Sequence, residues 1–231
     1  MVTSKVQATL LTDEVYARLR DAILSGELPV GSRLRVRDLA ELVGTSVMPV
    51  REAIRRLEEA GLAEREPHRG AVVKELSLEE LVHVYDVRRL LEVEAARLGA
   101  ERITPADCDR MQVEYDAMCT AILAGDVPTY LDRDEALLAI LYDATDNPVL
   151  VQTIRTLWSK CRSYKLVGAQ GTLGSASNES LWTYQKDLIA AVANNDAATA
   201  AAINDRSLVN ATDRIRALLA AQTETDAANN P

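Results

Sequence analysis

Several residue types are scarce in this sequence, and each shortage excludes a class of protein. Aromatic residues make up 4% of the chain, and only 10 of its 231 residues are glycine. This composition favours helices over sheets. No apolar run reaches the roughly 18 residues of a membrane span, so we predict no membrane partner. The start of the chain, MVTSKVQATLLTDEVY, lacks the long apolar core of a secretory signal.

Cysteine and histidine are too few for the common metal sites. The chain has three cysteines, Cys108, Cys119 and Cys161, which is an odd number, and their spacing is not that of a metal site. We therefore expect reduced thiols in a cytoplasmic protein. The only two histidines are His68 and His83, which excludes a site with three histidine ligands. A carboxylate-only site for Mg²⁺ or Ca²⁺ needs several converging oxygens. We therefore predict no metal and no other cofactor.

The net charge of −9 is unevenly distributed along the chain. Residues 1–76 contain equal numbers of basic and acidic side chains, so the whole negative excess lies in residues 77–231. A neutral first third can present a local basic face, whereas the acidic remainder would repel nucleic acid. The hydrophobic pattern also changes near residue 76, where we place a domain boundary.

The first domain, residues 1–76, has the predicted order helix, short helix, tight turn, helix and hairpin. Val15, Leu19 and Ile23 predict an amphipathic helix over 11–25. RVRDLAELVG predicts a second, shorter helix. After a third helix, GLAEREPHRGAVVKEL predicts two short strands around a turn. Three helices and a small β-hairpin in this order predict a winged helix-turn-helix.

The third helix carries the clearest functional pattern of this domain. Either Thr45 or Ser46 can cap its N-terminus, which places Pro49 in the first turn, where a missing N–H costs no intrahelical bond. In a helix-turn-helix that first turn enters the major groove, and its free N–H groups can bind a phosphate. Arg51 and Arg55 are i, i+4 neighbours, and Arg51 is placed to reach base edges.

A plainer interpretation of these arginines is a solvated charged face, because Glu52, Glu58 and Glu59 follow them and can pair with them. Two more basic clusters favour a DNA-binding surface instead. One cluster is the predicted hairpin tip, and the other precedes the short helix. The two clusters consist of His68, Arg69 and Gly70, and of Arg33, Arg35 and Arg37.

The segment GSRLRVRDLAELVGTSVMPVREAIRRLEEAGLAEREPHRGAVV resembles the winged-helix domain of the GntR family of bacterial transcription regulators. The resemblance rests on the skeleton "LA..LG.S...VREA...LE..GL" and the terminal "RG..V". It implies contacts to a palindromic operator from Arg37, from Arg51 and from the wing around Arg69 and Gly70. Two recognition helices of a homodimer would read the two half-sites.

The chain departs from the family pattern directly after the N-cap serine. Members commonly have arginine and threonine there, whereas this chain has Val47 and Met48. An apolar side chain can contact a thymine methyl but cannot hydrogen-bond guanine, so we expect a different operator preference. The predicted DNA-binding residues are Arg35, Arg37, Thr45, Ser46, Val47, Met48, Arg51, Arg55, His68, Arg69 and Gly70.

Residues 77–222 predict an all-α bundle of six or seven helices, followed by a disordered tail at 223–231. Ser77 with Glu80 forms a capping-box signature at its start. The segments DVRRLLEVEAARLGA and DRDEALLAILYDATDNP resemble the ligand-binding FCD domain of the FadR-type branch of the family. The resemblance implies an effector cavity within the bundle and a dimeric protein.

Many members of that branch hold a metal with one Asp and three His. Asp134 matches the Asp position, whereas the three His positions fall at Leu138, Gln185 and Ser207. Without a metal, side chains must bind the effector, and Arg88, which matches the branch's arginine, can bind a carboxylate with two hydrogen bonds. For each candidate effector-binding side chain, the alternative is an ion pair, or a polar group in the core whose hydrogen bonds are made within the protein. The predicted effector-binding residues are Arg88, Asp134, Leu138, Arg162, Tyr164, Gln185 and Ser207.

Taken together, these features predict a dimeric, ligand-responsive repressor that a small organic acid releases from double-stranded operator DNA. An effector of the acyl-CoA type is the alternative, because Leu138 suits a larger and more apolar cavity. A helical-bundle enzyme has little support, since no nucleophile with a nearby His, spaced carboxylate pair or phosphate loop is visible. A winged helix that binds a protein instead of DNA is the remaining alternative.

Overall fold

The computed structural model describes the backbone of residues 2–173 and 182–229 and the side chains of 11–170 and 182–221. The chain divides into two compact units, Met1–Glu75 and Leu76–Pro231. The described elements are α1 (Val2–Leu24), α2 (Val36–Val43), α3 (Val47–Glu59), β1 (Ala63–Glu66), β2 (Gly70–Val73), α4 (Leu78–Ala100), α5 (Pro105–Ala124), α6 (Val127–Asp143), α7 (Pro148–Leu173), α8 (Thr183–Ala193) and α9 (Ala197–Asn229).

The first unit packs α3 against α1 and α2. Val15, Leu19 and Ile23 of α1 are buried in the shared apolar core, as their spacing predicts. Helix α1 begins at Val2, ahead of the predicted start, because no glycine or proline interrupts the segment before residue 11. Gly44 ends α2 in the left-handed region, with φ of 68°, so that the chain turns directly into α3.

The wing is the antiparallel pair of β1 and β2, in which Ala63 faces Val73 and Glu66 faces Gly70. An isolated bridge from Arg33 to Val72 ties the loop before α2 to this hairpin. His68 at the tip has a positive φ of 63°, a conformation that tight hairpin turns require. The predicted winged helix-turn-helix is confirmed.

The second unit is all-helical in its described residues and contains α4 to α9, which confirms the predicted bundle. The predicted capping box starts α4, since the Glu80 N–H donates to Ser77 Oγ and the Ser77 N–H donates to Glu80 Oε2. Helix α4 packs against α6, α7 and α9. Gly99 allows a close approach to α6, because a Cβ at this position would lie 2.1 Å from the carbonyl oxygen of Leu141.

The C-terminal end of the chain requires a correction. Helix α9 runs to Asn229, so residues 223–229, which we expected in a disordered tail, continue the helix. The physical reason is that TETDAAN contains neither glycine nor proline, and its alanines favour helix. The last two residues lie outside the described part of the chain. None of the described helices is long and apolar enough to cross a membrane.

Candidate functional site

The start of α3 forms the centre of the first candidate site. Ser46 is the N-cap, and Pro49 lies buried in the first turn. The Ser46 side chain makes no capping hydrogen bond, so its hydroxyl is available to an external acceptor. Val47 and Met48 are 40% and 69% exposed. An apolar surface therefore lies beside the free N–H groups of the first turn.

The opposite side of α3 anchors the helix in the first unit. Val50, Ala53, Ile54 and Leu57 are all buried in the core, and together they form an apolar stripe with the 3.6-residue spacing of a helix. This packing turns Arg51 to the solvent. The packing of its apolar face therefore determines which side chains of α3 are exposed.

Arg51 and Arg55 lie one turn apart but have different surroundings. Arg51 is exposed and has no ion pair or hydrogen bond among the described residues. Arg55 pairs with both Glu52 and Glu59, and its Nε donates to Glu52 Oε2 at 3.0 Å. The hydrogen bond with Glu52, followed by the charges of Glu52 and Glu59, raises the pKa of Arg55. Arg55 thus follows the plainer interpretation, that of a solvated ion pair, whereas Arg51 offers a free charge.

The remaining predicted DNA contacts surround this helix start. Arg37 is exposed and unpaired within the described residues, while Arg35 lies 3.7 Å from Asp38 Oδ2. Thr45 is half-buried, and its N–H donates to the carbonyl of Ala40. Its backbone therefore closes the turn between α2 and α3.

The wing residues form a second exposed cluster. His68, Arg69 and Gly70 are all exposed at the hairpin tip. Arg69 Nη1 donates to Glu66 Oε2 at 2.5 Å, and Nη2 donates to the carbonyl of Gly31 at 3.2 Å. These bonds fix the guanidinium against the wing, so Arg69 would have to exchange an existing partner to contact a phosphate.

The second candidate site is a cavity of about 530 Å³ within the second unit. Side chains of α4, α6, α7, α8 and α9 line it. Its size falls in the range of roughly 300–1,000 Å³ that is typical of small-molecule sites. Most of the predicted effector-binding residues line this cavity, and they are Arg88, Asp134, Leu138, Tyr164, Gln185 and Ser207.

Arg162 is the predicted effector residue that the structure places elsewhere. It is buried and does not line the cavity. Its Nη2 donates to Asp132 Oδ1 at 2.5 Å and to the carbonyl of Pro128 at 3.2 Å, and its Nη1 lies 3.2 Å from Glu135 Oε1. Arg162 therefore ties α7 to α6, because two acidic side chains of α6 face it. The prediction that it faces the ligand is corrected.

Arg88 lies at the cavity wall, but its guanidinium already has partners. Its Nε donates to Glu92 Oε1 at 2.6 Å, its Nη1 lies 3.5 Å from Cys161 Sγ, and it stacks over Tyr85 at 4.5 Å. Burial is the largest effect and acts to lower the pKa of Arg88, but the charge of Glu92, the groups of Cys161 and Tyr85 and the hydrogen bond to Glu92 together outweigh it and hold the pKa well above its usual value. Arg88 is thus a permanently charged, internally paired group.

Glu92 is a site residue that sequence reasoning missed. It also accepts hydrogen bonds from Trp158 Nε1 at 3.0 Å and from the Tyr142 hydroxyl at 3.3 Å. Asn204 donates to the backbone carbonyl of Glu92 at 2.9 Å and to the Tyr142 hydroxyl at 2.8 Å. The i, i+4 spacing of Arg88 and Glu92 was the available signal. This network closes the inner wall of the cavity with satisfied polar groups.

Lys165, also missed, brings a second cation to the cavity. Its Nζ lies 3.4 Å from Asp134 Oδ2 and 3.4 Å from Glu135 Oε1. Burial acts to lower the pKa of Lys165, but the carboxylates of Glu135 and Asp134 reverse this and raise it. Gln185 Nε2 donates to Asp134 Oδ1 at 2.6 Å. Both oxygens of Asp134 are therefore occupied by protein groups.

The four positions that correspond to the metal ligands of many relatives do meet in this cavity. They hold Asp134, Leu138, Gln185 and Ser207, which supply one carboxylate, one amide and one hydroxyl. The ammonium of Lys165 beside Asp134 adds a competing positive charge. In the described residues no group of three His, Cys, Asp or Glu side chains is arranged to hold a metal ion. This donor set does not fit a transition metal.

Tyrosine hydroxyls and one further arginine complete the polar lining. Tyr85 and Tyr130 are buried at the cavity wall, and within the described residues neither hydroxyl has a hydrogen-bond partner. Burial and the carboxylate of Asp134 raise the pKa of Tyr130, whereas Lys165 and Arg214 act in the opposite direction. Arg214 therefore lies close enough to Tyr130 to act on its hydroxyl electrostatically.

Comparisons with known proteins match both units to known domain families. Residues 11–73 match the profile of the bacterial regulatory proteins of the gntR family, and residues 83–221 match the FCD domain. The HTH-type transcriptional regulator McbR of Escherichia coli K12 is 30% identical over 156 residues, which are 68% of this chain and 71% of that protein.

A second relative and one solved structure extend this similarity. The probable D-xylose utilization operon transcriptional repressor of Paenarthrobacter nicotinovorans is 30% identical over 147 residues, 62% of this chain and 65% of that protein. The matched region thus spans slightly less than two thirds of that relative. The solved structure of E. coli McbR/YncC has a TM-score of 0.76 at 24% identity and covers 90% of this chain and 98% of that chain. That likeness shows a shared fold.

Proposed function

Because the chain belongs to the GntR family of bacterial regulatory proteins and carries an FCD domain, we propose that it is a homodimeric transcriptional repressor. A small organic acid in the cavity of the second unit lowers its affinity for the operator. The observation that carries the proposal is the convergence of Arg88, Asp134, Gln185 and Ser207, residues from four helices, on one cavity. The protein acts as a ligand-responsive, DNA-binding regulator, not as an enzyme.

The DNA-binding part of the proposal rests on the surface around the start of α3. Arg37 and Arg51 are exposed cations without partners among the described residues, so they can replace counterions at the phosphates without breaking an ion pair. Val47 and Met48 place apolar side chains where a thymine methyl is the matching feature of the major groove. We propose that Arg51 binds a base edge or phosphate and that the wing tip binds the backbone beside it.

The effector part of the proposal favours a small polar molecule over an acyl-CoA. Five charged side chains line the cavity wall, and they are Arg88, Glu92, Asp134, Lys165 and Arg214. An acyl chain against them would remove their solvation without supplying polar partners, which is costly. A small hydroxylated or amino acid supplies such partners. We also propose that no metal takes part, because Lys165 and Gln185 occupy the oxygens of Asp134.

Repression and dimerisation are proposals drawn from relatives and from the surface. The relative from Paenarthrobacter nicotinovorans is named a probable transcriptional repressor. Val87 and Leu90 of α4 are 44% and 74% exposed, and an exposed apolar pair of this kind suits a second copy of the chain. A symmetric dimer would place two recognition helices on a palindromic operator. A location in the cytoplasm follows from binding to chromosomal DNA and from the free cysteines.

The test is a fluorescence-anisotropy titration of the full-length protein against DNA flanking its own gene. We expect a complex at low salt whose affinity falls with rising salt. A screen of small organic acids by thermal shift should identify a ligand that also weakens this complex. Absence of a complex at low salt would refute the DNA-binding proposal, and a monomer in sedimentation at the same concentration would refute the dimer.

A further inference from the structure

We infer that the cavity selects a two-ended ligand, with a hydrogen-bond donor at Gln185 and an anionic group at Arg214. The donor is a hydroxyl or an amine, and the anion is a carboxylate or a similar monoanion. The inference rests on the proposed function, since it assumes that this cavity is the effector site. It assigns the ligand's donor to Gln185 and the ligand's anionic group to Arg214, and the proposed function leaves both assignments open.

The orientation of the Gln185 amide is fixed by its neighbour. Gln185 Nε2 donates to Asp134 Oδ1 at 2.6 Å. A carboxylate can only accept this bond, so the amide cannot be turned around. The Gln185 Oε1 atom is consequently an acceptor, and it is buried without a hydrogen-bond partner. A buried acceptor without a donor is costly, and Gln185 lines the cavity. A ligand O–H or N–H would satisfy it.

An anionic group is disfavoured at this end of the cavity. Asp134 Oδ2 and Glu135 Oε1 both lie 3.4 Å from Lys165 Nζ, and Arg162 also pairs with Glu135, so the two nearby cations already serve these carboxylates. A ligand carboxylate beside Gln185 Oε1 would bring an acceptor to an acceptor and a third negative charge to the group. This end therefore takes a donor and leaves the anion to another part of the cavity.

Among the cations that line the cavity, Arg214 is the one available to bind the ligand's anionic group. Arg88 is engaged by Glu92, and Lys165 is engaged by Asp134 and Glu135. Arg214 lines the cavity from α9 and has no ion pair or hydrogen bond among the described residues. It is exposed, which suits the entrance more than the floor. A planar guanidinium there can bind a carboxylate with two parallel hydrogen bonds.

Part of the cavity lining is apolar. Leu138, Leu188 and Ile203 line the cavity together with the polar groups. An aliphatic segment can pack against these side chains while its two ends reach Gln185 and Arg214. A ligand recognised in this way has a donor, an apolar segment and an anionic group. We therefore expect that both its donor and its anionic group are required for tight binding.

The experiment is calorimetry on the full-length protein, without DNA, with four series of probes of graded chain length. They are ω-hydroxycarboxylates, ω-aminocarboxylates, the corresponding unsubstituted fatty acids and the corresponding α,ω-diols. We expect at least one hydroxy or amino acid to bind about tenfold or more tightly than the fatty acid and the diol of its length. The hydroxy and amino series distinguish the two possible donors.

Two variants identify the ends. Gln185→Met should remove the preference for the hydroxy or amino acid over the fatty acid, and Arg214→Gln should weaken every acid about tenfold while leaving the diols unchanged. The matched controls are Gln152→Met on the exposed surface of α7 and Arg216→Gln on α9, which lie outside the cavity lining. Neither control should change the binding of any probe.

Three outcomes overturn the inference. They are equal binding of fatty acids and hydroxy or amino acids to the unmodified protein, a preference that persists in Gln185→Met, and no binding of any probe. A loss in Arg214→Gln that extends equally to the diols also overturns it, since the anion would not be the cause. DNA binding by the unliganded protein is measured separately, so failure of this inference is distinguishable from failure of the repressor proposal.

Discussion

Arg51 in the first unit and Arg88 in the second are the same residue type in opposite surroundings. Arg51 lies on the exposed surface of α3 without a partner among the described residues. Arg88 is 5% exposed and shares a short ion pair with Glu92. An exposed, unpaired cation can exchange its water and counterions for a phosphate at little cost. A buried, paired cation has no such freedom and instead fixes the geometry of its surroundings.

This contrast extends to the two candidate sites as a whole. The proposed DNA-binding surface consists of exposed side chains at a helix start and a hairpin tip, where solvent screens each charge. The cavity brings charges together inside a helical bundle, where each must be matched by another polar group. Changes on the first surface should alter binding with little effect on folding. Changes in the second should alter folding as well.

The largest expected effect follows from breaking the buried pair. Glu92→Ala leaves Arg88 charged and buried and removes the acceptor of Trp158 Nε1, so we expect a loss of about 3–5 kcal/mol in the free energy of unfolding. Urea denaturation followed by tryptophan fluorescence measures it, because Trp158 and Trp182 both belong to the second unit.

The matched control for that change is Glu94→Ala on the exposed face of the same helix. Glu94 pairs with Arg97 in solvent, so its removal should leave the unfolding transition unchanged. The double variant Arg88→Met with Glu92→Met should recover part of the loss, since no unpaired charge remains. Equal losses in the free energy of unfolding for Glu92→Ala and Glu94→Ala would contradict the contrast between buried and exposed ion pairs.

A smaller loss of stability is expected where α4 meets α6. Gly99→Ala would place a Cβ 2.1 Å from the carbonyl oxygen of Leu141, and such overpacking costs about 1–3 kcal/mol. Gly168→Ala in α7 is the control, because a Cβ there meets no atom within 4 Å. Helix propensity predicts that this change stabilises the unit by up to about 1 kcal/mol. Thermal unfolding should therefore shift in opposite directions for the two variants.

On the proposed DNA-binding surface the expected effect is on affinity. Arg51→Ala should weaken operator binding by about 1–3 kcal/mol, and it should lower the slope of log K against log salt by about 1 if the partner is a phosphate. Arg55→Ala, one turn away, should have a smaller effect, because Glu52 and Glu59 already neutralise that arginine. Anisotropy titrations at several salt concentrations compare the two. A larger loss for Arg55→Ala would reverse our assignment of the DNA-binding face.

The smallest expected effect is that of metal removal. Since protein groups occupy both oxygens of Asp134, a chelator should leave the melting temperature unchanged, and added Zn²⁺ or Mn²⁺ should not raise it. Asp134→Asn should not change this insensitivity. A clear fall in melting temperature on chelation would show that a metal stabilises the cavity after all.

Much of the first unit was predictable because its signals are local. The positions of Pro49 and Gly44, the spacing of Val50 and Ile54, and the turn at His68 each depend on a few consecutive residues. The ion pairs of Arg55 were foreseen only as an alternative, since spacing permits several pairings. Which arginine stays free depends on the rotamers and neighbours of the folded helix.

In the second unit, local sequence signals do not predict which side chains meet between helices. Sequence resemblance selected Asp134, Gln185 and Ser207, and the structure brings them to one cavity. It did not reveal that Lys165 lies beside Asp134, because their contact joins α6 to α7. Arg162 was misplaced for the same reason, since its acidic partners on α6 are about thirty positions away in the chain.

The sequence by itself determined the order of the elements, the boundary near residue 76, the capping of α4 at Ser77 and the loss of a three-histidine site. These features depend on composition and on periodicity along the chain. Only the tertiary structure decided which charges are paired. In the folded protein, Arg51 and Arg214 have no ion pair within the described chain, whereas carboxylates form ion pairs with Arg88, Arg162 and Lys165. The physical reason is that pairing depends on distance in space and on burial, and both are set when the helices pack.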